Sequence, residues 1–108
     1  MERIILRLID GQIFSETYSE CFKKYDAILE LYISPVDGEA IITSIFTYPR
    51  VRNRGYATLL MRTAILLAEE RDCKWVTLTD SSDTGELYVK LGFEYINYPQ
   101  PEMIKYIR

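Results

Sequence analysis

Two hydrophobic periods alternate along the chain. Arg3 to Ile9 reads Arg-Ile-Ile-Leu-Arg-Leu-Ile, β-branched and apolar, and Asp10-Gly11 closes it, which predicts a strand. Over Ile13 to Lys24 the spacing changes. Phe14, Tyr18, Cys21 and Phe22 fall at i, i+4, i+7 and i+8, with Ser15 or Thr17 able to cap, so this stretch predicts a short amphipathic helix. Tyr25 to Ser34 returns to strand character. Pro35-Val36-Asp37-Gly38 is a turn by composition, and Glu39 to Tyr48 is the next strand. Two apolar runs joined through Asp-Gly indicate an antiparallel hairpin. From about Arg54 to Arg71 the period is helical. Ala57, Leu60, Met61, Ala64, Leu67 and Ala68 form one face, and Leu59 with Leu66 widens it, which predicts a well-buried helix.

The last third is shorter in rhythm. Cys73 to Thr79 predicts a strand. Asp83 with Glu86 three positions on makes a capping box, opening a helix that runs to about Leu91 with Gly92 as its left-handed cap. Phe93 to Asn97 and Met103 to Ile107 predict two final strands, joined through Tyr98-Pro99-Gln100-Pro101. Strand, helix and strand over residues 39 to 79 form a β-α-β unit with parallel neighbours. Together with the hairpin this predicts a single domain over residues 1–108, α+β, with a mixed sheet flanked by helices. Roughly 16 residues separate the first two strands, room for about one helix.

Composition narrows the functional classes. Apolar residues at 48% and charged residues at 27% describe an ordinary globular domain. The chain has no apolar run of spanning length, and Met1-Glu2-Arg3 does not begin a signal pattern, so neither membrane nor export is expected. A net charge of −3 disfavours a nucleic-acid partner and tolerates a cationic amine. The two cysteines, Cys21 and Cys73, do not make a disulfide framework, and a reduced cytoplasmic setting is expected. Histidine is absent, which excludes a Ser-His-Asp or Cys-His centre within the chain and makes a zinc site, or any metal site, unexpected.

The stretch from Pro49 to Leu60 carries the clearest chemistry. Arg50, Arg52 and Arg54 sit where strand becomes helix, followed by Gly55 and then Ala57. The first turn of a helix has N–H groups with no helical acceptor and the positive end of the dipole, so it binds an anion. Gly55 lets backbone approach that anion without a Cβ in the way. A basic helix start runs against the dipole preference for acidic residues, so a merely solvated helix end is the poorer reading. The spacing fits neither the P-loop nor the dinucleotide fingerprint.

Arg52-Asn53-Arg54-Gly55-Tyr56-Ala57 matches the [QR]-x-x-G-x-[GA] signature of the GNAT family of N-acetyltransferases. Ile45-Phe46-Thr47-Tyr48-Pro49 resembles the strand that precedes that signature, and Leu87-Tyr88-Val89-Lys90-Leu91-Gly92-Phe93 resembles the family's L-Y-x-K-L-G-F segment. The resemblance spans about residues 38 to 98. It implies a mixed, mostly antiparallel sheet that splays open between its fourth and fifth strands, and a front part shortened relative to the family, whose two helices there often wall the acceptor site.

It also implies an activity: transfer of acetyl from acetyl-CoA, a co-substrate, to a primary amine by direct attack in a ternary complex. The amine could belong to a small molecule, a polyamine or a protein. By resemblance, backbone N–H groups from Asn53 to Thr58 (Asn53, Arg54, Gly55, Tyr56, Ala57, Thr58) hold the pyrophosphate, with Arg50, Arg52 and Arg54 meeting phosphates. Ile45, Phe46 and Thr47 pair with the pantetheine arm as an added strand would, and the N–H of Phe46 or Thr47 polarises the thioester. Tyr88 is the general acid for the leaving thiolate, since a phenol is protonated at neutral pH. Its competing reading is a packing aromatic. Glu39 is a candidate base beside an ordinary turn-flanking charge, with Asp80, Asp83 or water reached through Thr77, Thr79 or Ser81 as other routes. Ser81 and Ser82 stand where the family often has an Asn that touches the pantetheine arm. The alternative function is a non-catalytic CoA-binding or protein-interaction module on the same fold. A homodimer through Met103 to Ile107, taken as an edge strand, is a further expectation.

Overall fold

The computed structural model describes residues 1–17, 24–79, 85–97 and 102–107. Within them one seven-stranded sheet runs in the order β2-β1-β3-β4-β5-β7-β6. The strands are β1 (Glu2–Ile9), β2 (Gln12–Glu16), β3 (Ala27–Ser34), β4 (Glu39–Thr47), β5 (Trp75–Thr79), β6 (Glu94–Asn97) and β7 (Glu102–Tyr106), with helices α1 (Tyr56–Glu70) and α2 (Gly85–Lys90). All pairings are antiparallel except β4 with β5. The α+β class, the β3–β4 hairpin and the parallel β4-α1-β5 unit therefore stand as expected. No helix among the described residues is long and apolar enough to cross a membrane.

Alternation along the strands builds a one-sided core. Ile4, Leu6 and Leu8 on β1 face Leu31, Leu29 and Ala27 on β3, and all six are at most 2% exposed. Leu60, Met61, Ala64, Ile65 and Ala68 of α1 pack onto this face. Leu59 and Leu66 were expected to widen the buried stripe, and they do not: they stand 43% and 57% exposed. They lie seven residues apart, on one line of the helix, and that line faces away from the sheet.

The segment after β1 corrects a second expectation. Asp10 and Gly11 both have positive φ, 52° and 77°, and they join Ile9 to its partner Gln12. That is a two-residue hairpin turn of the primed kind. Residues 12–16 are thus a strand on β1, where the spacing had predicted the start of a helix. Tyr18, Cys21 and Phe22 lie outside the described residues, as do Asp80, Ser81, Ser82, Asp83 and the Tyr98–Pro101 connection. A third correction concerns β7. It lies between β5 and β6, so both its edges are paired and it offers no dimer edge; the outer strands are β2 and β6.

Helix ends are closed by backbone. At the end of α2, the N–H of Phe93 donates to the Tyr88 carbonyl and that of Gly92 to Val89, both at 3.0 Å. Gly92 takes the left-handed conformation at φ 97°, completing a Schellman motif. The Phe93 ring meets Tyr88 edge-on at 6.2 Å, the apolar contact that usually accompanies the motif. Gly92→Ala is expected to cost about 1–2 kcal/mol, because left-handed backbone is strained for any residue with a Cβ. The thermal midpoint should fall by several degrees, and an unchanged midpoint would refute this account of the cap.

Candidate functional site

The site forms where the parallel strands part. β4 and β5 pair only from Glu39–Trp75 to Ile42–Leu78. Beyond that, Thr43 to Thr47 continue along β3, with no partner among the described residues on the β5 side. A β-bulge starts the divergence. Glu30 pairs with Ser44 and Leu31 with Ile42, leaving Thr43 as the extra residue. The bulge also shifts the alternation. Ala40 and Ile42 face the core before it, and Ile45 packs toward the core after it. The Ile45–Phe46–Thr47 stretch thus has an open backbone edge, with Phe46 41% exposed on the face opposite α1.

The chain then turns through a short 3-10 helix at Pro49–Val51 and enters α1. Asn53 and Gly55 both have positive φ, 66° and 79°, and Gly55 is the N-cap, with no side-chain capping bond and no acidic residue in the first turn. The first intrahelical bond is Leu59 N–H to the Gly55 carbonyl, at 3.0 Å. The N–H groups of Tyr56, Ala57 and Thr58 precede it and have no helical acceptor. A Cβ built on Gly55 meets nothing within 4 Å, so the glycine at this helix start borders open space. That arrangement fits a phosphate-bearing ligand.

The three arginines divide. Arg50 contacts Asp26 at 3.3 Å, and its guanidinium lies 5.9 Å from the Tyr48 ring centre. Arg52 folds back, its Nε donating to the Thr47 carbonyl at 3.0 Å. Arg54 makes no bond to any described residue and is the cation left available. Tyr48 stacks on Tyr25 at 5.2 Å and takes Phe46 edge-on at 5.2 Å. Burial, followed by contact with Tyr48, raises the Tyr25 phenol above its ordinary value. Sequence reasoning missed the Asp26 and Tyr25 partners, since both precede β3 and are brought to the mouth of the splay only by strand pairing.

Tyr88 lies on α2, which follows the β5 arm of the splay. It is 5% exposed, its ring in the core against Phe93, and no described residue hydrogen-bonds its hydroxyl. The ring is held by packing, and the hydroxyl is uncommitted among the described residues. Glu39 is placed elsewhere. It sits at the first β4–β5 pair, where its carboxylate accepts the Thr77 hydroxyl at 3.1 Å. Six residues of strand, roughly 20 Å, separate it from Ile45, so it is not brought to the parting strands. Cys73 is fully buried and burial raises its thiol pKa, consistent with packing.

The fold is an α+β one in which two parallel strands diverge and a helix without a side-chain cap starts between them in the chain. A family model described as the acetyltransferase (GNAT) domain matches residues 11–95. The chain belongs to the GNAT acetyltransferase family.

Solved structures agree on the fold. The chain is similar to the PaiA N-acetyltransferase of Thermoplasma acidophilum, solved in complex with coenzyme A, at 15% identity and TM-score 0.72, covering 98% of this chain and 62% of that one. For Tetrahymena GCN5 the values are 13%, 0.75, 99% and 69%. For an acetyltransferase from Bacillus cereus they are 19%, 0.74, 98% and 74%. The chain thus spans somewhat under two thirds of the Thermoplasma protein.

Proposed function

We propose that this protein transfers acetyl from acetyl-CoA to a primary amine by direct attack in a ternary complex. The observation that carries the reading is the junction of β4's open edge with the uncapped, glycine-led start of α1. Backbone N–H groups of Tyr56 to Thr58, with Arg54, would hold the pyrophosphate. The open edge from Ile45 to Thr47 would pair with the pantetheine amides, as a strand is added to a sheet. A free N–H on that edge would polarise the thioester carbonyl. The amine nitrogen bonds to the carbonyl carbon, the carbon–sulfur bond breaks, and the thiolate takes a proton from the Tyr88 hydroxyl. The nitrogen's surplus proton passes to water. The donor would enter at the helix start, its acyl end lying toward the bulge; that the similar Thermoplasma protein was solved in complex with coenzyme A supports a donor of this kind.

A thermal-shift titration with acetyl-CoA, CoA and ATP tests the donor site. A ligand at about 100 times its Kd stabilises by about 2.7 kcal/mol, several degrees for a domain of this size. Shifts with both CoA species and none with ATP are expected; no shift with any of them would sink the reading. One observation favours a second reading. β2 stands where the family resemblance implied helices that wall the acceptor site, which suits a module that binds CoA without turnover. Tight CoA binding with no thiol release across an amine panel would select it.

A further inference from the structure

The sheet face opposite α1 carries a polar group at the apex of the splay that the donor site does not use. Glu30 on β3 points to this face, because its neighbours Leu29 and Leu31 are fully buried on the other. Its Oε2 accepts the Arg3 Nε–H at 2.8 Å, and its Oε1 accepts the Thr43 hydroxyl at 2.7 Å. Thr43 is the bulge residue, the first beyond the last β4–β5 pair, and it is exposed. The Thr43 hydroxyl bond, together with Arg3, holds the Glu30 carboxyl below its ordinary range. Glu30 is therefore ionised at neutral pH and accepts only, so the proton of that bond belongs to Thr43. A hydroxyl whose single proton is committed has only lone pairs left to offer.

We propose that Thr43 is the positioning residue for the acceptor amine, its hydroxyl turned into a fixed acceptor by Glu30 and Arg3 and receiving an N–H of a primary alkylamine. The assignment rests on the transferase reading for the location of the acyl end, and it adds the residue that orients the nucleophile. Two features support an alkylamine. Phe46 lies on the same face, 41% exposed, where an apolar stem would rest. Glu30 Oε1, the carboxylate oxygen not held by Arg3, adds an acceptor next to the point where an ammonium would arrive. An N–H held by Thr43 leaves the nitrogen lone pair free to turn toward the β4 edge once the ammonium has lost its proton to solvent.

The test is a binding measurement that does not require turnover. Butylamine is titrated into the full chain saturated with CoA, and backbone and side-chain NMR shifts are followed. Saturable shifts centred on Thr43, Ser44 and Glu30 are expected. Thr43→Val, which keeps the shape and removes the hydroxyl, should weaken butylamine at least tenfold while leaving the CoA-induced thermal shift unchanged. Thr43→Ser should restore binding to within about threefold. Saturable binding unaffected by Thr43→Val, or no butylamine binding to the wild-type complex, would overturn the proposal. Wild-type thiol release with butylamine is measured separately. Its absence alongside Thr43-dependent binding would reject the transferase reading and leave the amine site standing.

Discussion

Gly55→Val is expected to abolish CoA binding while leaving a folded domain. Gly55 holds φ 79° at the N-cap of α1, a conformation that a β-branched residue resists. The cost in stability is about 1–2 kcal/mol and should appear as a midpoint several degrees lower. It arises from the backbone alone, because a Cβ at this position meets no protein atom within 4 Å. The same openness makes the substitution severe for ligand. The valine methyls would occupy the space in front of the Tyr56, Ala57 and Thr58 N–H groups. The measurement is the CoA-induced thermal shift of the variant, read beside its circular dichroism. A folded variant that keeps the wild-type shift would show that the phosphate does not sit at this helix start.

The second large effect is on turnover. Tyr88→Phe should lower kcat by about 10²–10⁴-fold, the range for losing a positioned proton donor, with the CoA-induced shift retained. The structure separates the two roles of this residue. Its ring packs edge-on to Phe93 and its carbonyl accepts the Phe93 N–H, so phenylalanine preserves every described contact of Tyr88. Stability should change little. Tyr88→Ala, by contrast, should cost about 3–5 kcal/mol from cavity formation and serves as the packing control. If Tyr88→Phe turns over within threefold of wild type, the leaving thiolate takes its proton from water and the ring is structural.

The parts of this fold that were legible in the sequence share a cause: each is written in a few neighbouring residues. Alternation marked β1, β3 and β4, and the 3.6-residue period marked α1. Gly92 marked the end of α2, because the N–H groups of Gly92 and Phe93 close it onto the carbonyls of Val89 and Tyr88, within five residues along the chain. The failure at β2 has the same origin. Asp10-Gly11 is as strong a hairpin signal as Asp37-Gly38, yet the chance spacing of Phe14 and Tyr18 competed with it. Pairing with β1, which involves residues on both sides of the turn, decided the outcome.

By itself, then, the sequence determined the strands other than β2, the helices α1 and α2, the α+β class, the glycine-led helix start from Arg52 to Thr58 and the placing of Tyr88 on α2. Tertiary structure decided the rest. The Thr43 bulge, the parting of β4 from β5 after Ile42, the exposure of Leu59 and Leu66, and the pairing of Arg50 with Asp26 all depend on which strands lie side by side. Glu30 shows the boundary most clearly. An unbroken β3–β4 register would set it directly opposite Thr43, so their proximity was written in the hairpin. Their position at the apex of a splay was not, because that apex is set by β5, more than thirty residues further along the chain. Local propensities are short-ranged, whereas a site between diverging strands is a property of the pairing that unites them.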